Sequence, residues 1–155
     1  FNEIYKVSKD KKILFNWLRL FYVYGKGQRK DSIIPYLIDK FKNNKKININ
    51  FPSNRNDFIL VDDVVKIIFS FITKEYPSGI YNIGTGKSTA IFELMKIIDK
   101  LVNGNDMIST KYLNKVDLNK SNQNFYASTK KLKENFNGIK FTDITTGIRK
   151  VLESN

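Results

Sequence analysis

The chain contains no cysteine and no histidine. Their absence excludes a thiol nucleophile, a zinc site built from Cys and His, a His general base and any disulfide. A disulfide-free chain fits the reducing cytoplasm, and that compartment is the expectation. Arginine is scarcer than the charge suggests: only four of the 27 basic residues are Arg, and the rest are Lys. No apolar run reaches membrane-spanning length and no segment is built like a signal peptide, so no membrane association is expected. The chain begins at Phe1 and not at Met, which points to a fragment or a processed product.

What is present suffices for a folded body. At 155 residues the chain is one domain or part of one, and 41% hydrophobic residues can build a core. The formal net charge of +12 would suit a polyanionic partner. The lysines are spread along the chain, however, with no dense basic block and no interleaved aromatics. Nucleic-acid binding is therefore the weakest of three functional readings.

Hydropathy patterning gives alternating helices and strands, an α/β class. Residues 1–10 read as the tail of a helix. Ile13–Tyr24 reads as one strand, apolar enough to be covered on both faces as in a parallel sheet, with Arg19 expected to be paired. A helix is expected from Asp31 or Ser32 to about Asn43, and a short half-exposed strand over Ile47, Ile49 and Phe51. Phe58–Val61 is a further apolar run, after which Asp62 or Asp63 caps a helix. Gly79–Gly84 is a buried strand, followed by a helix over Thr89–Leu101 with Ser88 or Thr89 as its cap. Ile108–Leu113 is expected as a strand, residues 114–124 as a loop, Ser128–Phe136 as a helix, and Asp143 as the cap of a last helix.

Five segments, in order, carry a resemblance: L-R-L-F-Y-V-Y-G at 18–25, S-I-I-P at 32–35, N-D-F-I-L-V-D-D-V at 56–64, G-I-Y-N-I-G-T-G at 79–86 and Y-A-S-T-K-K-L at 126–132. Together they resemble the C-terminal part of an extended short-chain dehydrogenase/reductase of the NAD-dependent epimerase/dehydratase family, whose members modify nucleotide sugars. The resemblance implies the C-terminal part of a Rossmann-like NAD(P)-binding fold with a small substrate-binding α/β subdomain. It makes residues 1–155 a single partial domain whose dinucleotide-binding half is absent. No G-x-x-G-x-x-G turn follows an early strand, and such a turn is what lets backbone N–H groups reach a pyrophosphate. The implied cofactor is NAD or NADP in an intact family enzyme, with none assigned to this chain alone.

Two motifs tempt and fail. Tyr5 and Lys9 spell Y-x-x-x-K, the family's catalytic pair. There the pair opens a long helix, whereas here a strand is expected only three residues after Lys9, so Tyr5 and Lys9 are read as a decoy and no catalytic residue is assigned. Gly84-Thr85-Gly86-Lys87-Ser88-Thr89 evokes a P-loop, but Tyr81 stands where the first Gly of that motif belongs.

The resemblance also implies where a substrate would lie. An Arg that meets the diphosphate usually precedes D-F; here Asn56 holds that place and Arg55 is one residue early. A second Arg is replaced by Lys115 or Lys120. Tyr22 stands where many members have Asn, and with Gly25 it would face the cofactor. Ile34 and Pro35 would shape a wall, and Asn50 and Phe51 a lip near the base. The expected function is the substrate-binding half of a nucleotide-sugar epimerase, dehydratase or 4-ketoreductase, inactive alone. The alternatives are a non-catalytic sugar-nucleotide-binding or interaction module and a small basic nucleic-acid-binding domain. A nucleotide sugar is the expected partner, and a second copy of the chain is left open because the apolar strand should expose surface.

Overall fold

The computed structural model describes residues 1–120, 123–136 and 138–154. Its elements in order are α1 (Asn2–Asp10), β1 (Asn16–Leu20), β2 (Tyr22–Tyr24), α2 (Ile33–Lys42), β3 (Arg55–Asn56), β4 (Phe58–Leu60), α3 (Val61–Thr73), β5 (Gly79–Ile83), β6 (Thr89–Ala90), α4 (Ile91–Asn103), α5 (Met107–Leu113), β7 (Asn124–Phe125), α6 (Lys130–Asn135) and α7 (Ile144–Glu153). β1 pairs with β5 and β2 with β4, both in parallel. Parallel neighbours need a crossover, and helices supply it. A small third sheet, in the order β6-β3-β7, lies where β1 and β5 end and β2 and β4 begin.

The expected single strand over Ile13–Tyr24 is two. The Phe21 N–H still donates to the Ile83 carbonyl at the end of β5, but the next N–H, of Tyr22, donates to Asp57 beside β4. Changing partners breaks the ladder at Phe21, which no side-chain pattern records. Nor is the strand covered on both faces: Trp17, Leu20 and Tyr22 are exposed. Arg19 is exposed as well, and among the described residues it has no ion-pair partner.

Other boundaries shift for identifiable reasons. Residues 47–51 form no strand, and they have no strand partner among the described residues; side chains hold them instead, with the Ile49 N–H donating to the Tyr112 hydroxyl at 2.9 Å. The strand expected over Ile108–Leu113 is helix α5. Buried Asp99 accepts the Ser109 N–H at 2.7 Å, and Ile108, Tyr112 and Leu113 pack on the core at helical spacing. α3 starts at Val61 with Leu60 before it, so Asp62 and Asp63 are not caps. Buried Asp63 instead accepts the Thr142 N–H at 2.6 Å, tying α3 to the chain that leads into α7. α4 starts at Ile91, and Ser88 and Thr89 do not cap it; Glu93 reaches back to the Ala90 N–H at 2.8 Å. Thr129, not Ser128, precedes α6. Asp143 does cap α7, accepting the Thr146 N–H at 3.0 Å. Of the loop expected over 114–124, residues 121 and 122 lie outside the described residues.

Two apolar cores result. The larger packs α2, α4, α5 and α7 with Tyr24, Phe58 and Leu60. The smaller joins β4 and β5 to α3 and α6 through Ile59, Val64, Ile67, Tyr81, Ile83 and Leu132. α7 reaches the larger core closely because residue 147 is Gly: a methyl there would overlap the Tyr24 hydroxyl. Burial pushes the Tyr24 phenol far above its ordinary value, with Asp63 and Asp143 adding to the shift, and among the described residues its hydroxyl has no hydrogen-bond partner. Among the described residues, no helix is long and apolar enough to cross a membrane.

Candidate ligand crevice

Ligands of open α/β sheets bind beyond the carboxyl ends of the strands. In this chain aromatic rings cluster where β1 and β5 end and β2 and β4 begin. Phe21 stacks on Phe125 with centroids 4.9 Å apart and planes at 20°. Tyr22 lies 6.5 Å from Phe125 at 80°, and 5.7 Å from Phe58. The hydrogen-bond pattern dictates the cluster: Tyr22 is in register with Phe58, and β7 brings Phe125 alongside Asn56. Tyr22 is 49% and Phe125 47% exposed, so two rings at near right angles form an open corner.

Asp57 fixes that corner in place. Its carboxylate is fully buried and accepts the N–H groups of Thr85 at 2.9 Å, Gly86 at 2.8 Å and Ala127 at 3.1 Å, together with the Thr85 hydroxyl at 2.5 Å. No cation pairs with it among the described residues, so N–H dipoles hold the charge. The P-loop-like turn at Gly84–Ser88 thus has its anion, and the anion is part of the chain. Sequence reasoning missed Asp57. The available signal was a lone carboxylate directly before an apolar strand, in a chain whose glycine turn needed an acceptor.

The structure places the other sequence-derived residues in separate groups. The Arg55 guanidinium forms a two-pronged ion pair with Glu93, 3.1 Å on each prong, and donates to the Ser88 carbonyl at 3.1 Å. Neighbouring side chains of a strand point to opposite faces, so Asn56 faces away from that pair, on the side of its register partner Phe125. Phe51 is exposed and carries the Lys120 ammonium 5.8 Å from its ring centroid; Asn50 beside it is exposed. Lys115 is exposed just past α5. Gly25 and Pro35 come together in a depression of about 550 Å³ that also includes Gln28, Tyr36 and Val151. Gly25 packs so closely on Val61 that a Cβ would overlap it. Ile34 is fully buried in the larger core and has no surface to offer a ligand. The Lys9 ammonium sits 5.1 Å over the Tyr5 ring, and α1 ends six residues before β1 begins. Among the described residues, no group of three or more carboxylates could hold a metal ion.

Residues 3–84, just over half of the chain, match the family described as "NAD dependent epimerase/dehydratase family". CDP-abequose synthase of Salmonella muenchen is 36% identical over 105 residues, which cover 66% of this chain and 36% of that protein. ADP-L-glycero-D-manno-heptose-6-epimerase of Brachyspira hyodysenteriae is 29% identical over 161 residues, covering 98% of this chain and 49% of that protein. Among solved structures, UDP-glucose 4-epimerase from Thermotoga maritima with UDP-glucose aligns with a TM-score of 0.75 at 18% identity, over 97% of this chain and 48% of that one. MoeE5 in complex with UDP-glucuronic acid and NAD aligns at 0.73 and 22%, over 92% and 47%. The chain therefore spans about half or less of the length of the proteins it matches, and the solved structures confirm the Rossmann-type fold.

Proposed function

The chain belongs to the NAD-dependent epimerase/dehydratase family, and on that premise we propose that it is the substrate-binding half of a nucleotide-sugar epimerase, dehydratase or 4-ketoreductase. In this reading it holds a nucleotide sugar in the cytoplasm and does not turn it over alone. The observation that carries the proposal is the aromatic corner beyond the carboxyl ends of β1 and β5, in a chain whose glycine turn gives its Thr85 and Gly86 N–H groups to Asp57. Tyr22 and Phe125 offer stacking surface, and the separate Phe51–Lys120 pair offers a second ring and one ammonium. The Thr85 and Gly86 N–H groups are committed to Asp57, so this turn does not fit a dinucleotide pyrophosphate. No hydride step is assigned to residues of this chain, and β1 and β2 each have a single strand partner among the described residues.

Within the reading, Asn56, Asn50 and the lysines Lys115 and Lys120 would share the polar contacts that an arginine fork makes elsewhere, and Arg55 would serve the crevice only by leaving Glu93. Such a site binds a diphosphate through single ammonium contacts, which are strongly screened by salt. Titration calorimetry of the chain with UDP, CDP and dTDP sugars, beside a turnover assay with NAD, tests the proposal. Binding without turnover is the expected result. Turnover by the 155 residues, or no binding to any of the three, would overturn it.

A further inference from the structure

We propose that the corner between Tyr22 and Phe125 selects a deoxygenated sugar over a fully hydroxylated one. The inference rests on the nucleotide-sugar reading and names the substrate class of the same site. The corner has two walls. Phe125 and Tyr22 meet at 80° with centroids 6.5 Å apart, and each ring is about half exposed. Behind them, Phe21 lies flat against Phe125 and Phe58 backs Tyr22. Three of these four side chains carry no polar atom, and the fourth has only its phenol oxygen.

A right-angle corner of ring carbon receives a methyl or methylene group on two sides at once. A hydroxyl placed there gives up water hydrogen bonds. Three of the rings have no donor or acceptor to return, and an unpaired polar group on apolar surface is costly. A sugar bearing CH₃ or CH₂ at that position loses nothing and buries its carbon against the rings. The corner is rigid enough to discriminate. Asp57 clamps Ala127 and the Thr85–Gly86 turn, while β2 and β4 fix Tyr22 on Phe58.

The test uses matched ligands that differ by one oxygen. Glucose and 6-deoxyglucose, each carried on CDP, UDP and dTDP, are titrated against the chain, with the three nucleoside diphosphates alone as references. The deoxy ligand should bind about five- to tenfold more tightly than its hydroxylated match on whichever nucleotide binds best. Phe125→Ala should bring that ratio to about one, with the deoxy ligand losing more affinity than its hydroxylated match. Tyr22→Leu, which keeps a carbon wall without the ring, should keep part of the ratio and controls for a folding defect in the first variant. Equal affinity for the two sugars, with the nucleoside diphosphate still bound, overturns the selectivity and spares the nucleotide-sugar reading. Absence of binding by all ligands overturns both.

Discussion

The molecule has two apolar cores of unlike completeness. Among the described residues the larger contains fifteen buried side chains, all but Ile47 from four helices and the strands below them, and its central members Leu37, Leu94 and Ile98 are fully sealed. The smaller contains six, and around it apolar groups stay in solvent: Trp17 and Leu20 on β1, Ile4 and Val7 on α1, and Val65, Phe69 and Ile72 at helical spacing on α3. The larger core is closed by its own helices, as in a self-sufficient lobe. The smaller rests on two parallel strand pairs, and parallel sheets are stable when both faces and both edges are covered.

The sharpest way to break the contrast is to cut into each core in turn. Leu94→Ala should lower the unfolding free energy by about 2–5 kcal/mol, read from denaturant titration, because it empties a sealed position. Phe69→Ala removes a larger side chain that is 64% exposed, and should change stability by no more than about 0.5 kcal/mol while reducing concentration-dependent association in sedimentation. Equal effects would mean that the α3 stripe is already covered. Asp57→Ala tests the joint between the sheet and the crevice. It leaves three N–H groups without their acceptor, and a loss of about 3 kcal/mol is expected. Gly147→Ala forces α7 off Tyr24 and should cost about 1–3 kcal/mol in thermal unfolding.

A smaller loss than those of the buried positions is expected at the cap of α7. Asp143→Ala should cost about 1 kcal/mol near neutral pH. Hydrogen bonds from the Thr146 hydroxyl and amide hold the Asp143 carboxyl below its ordinary value. A lowered folded value stabilises above the unfolded value and is lost as pH falls through the folded one. The difference between the wild type and Asp143→Ala should therefore be full above about pH 5 and shrink in acid. A difference that persists unchanged in acid would show that the cap acts through something other than the carboxylate.

Much of the fold was legible because it rests on local rules. The stripe of Ile33, Ile34, Leu37, Ile38 and Phe41 marked α2, and Asp143 announced α7 through its capping oxygen. The strand over residues 79–83 was legible from its apolar run. The errors came where a distant partner decides. Ile108–Leu113 alternates loosely enough to pass for a strand, and only Asp99 and the core surface make it a helix. Arg19 read as buried because its neighbours are apolar, but β1 is open on that side. In the crevice, the aromatic residues were visible as letters and their right-angle arrangement was not. Nor could the sequence show that the Gly84–Ser88 turn already holds an internal carboxylate.

The sequence by itself determined the α/β class, several of the helices, the family and the exclusion of thiol and imidazole chemistry. These follow from residue identity and short-range periodicity, which a linear chain carries intact. The tertiary structure alone decided that Asp57 fills the glycine turn, that Arg55 is held by Glu93, and that Tyr22 meets Phe125 in a corner. Each of these joins residues at least 28 positions apart, and which partners meet is set by strand register and by the closing of the larger core. Neither is encoded in any single segment.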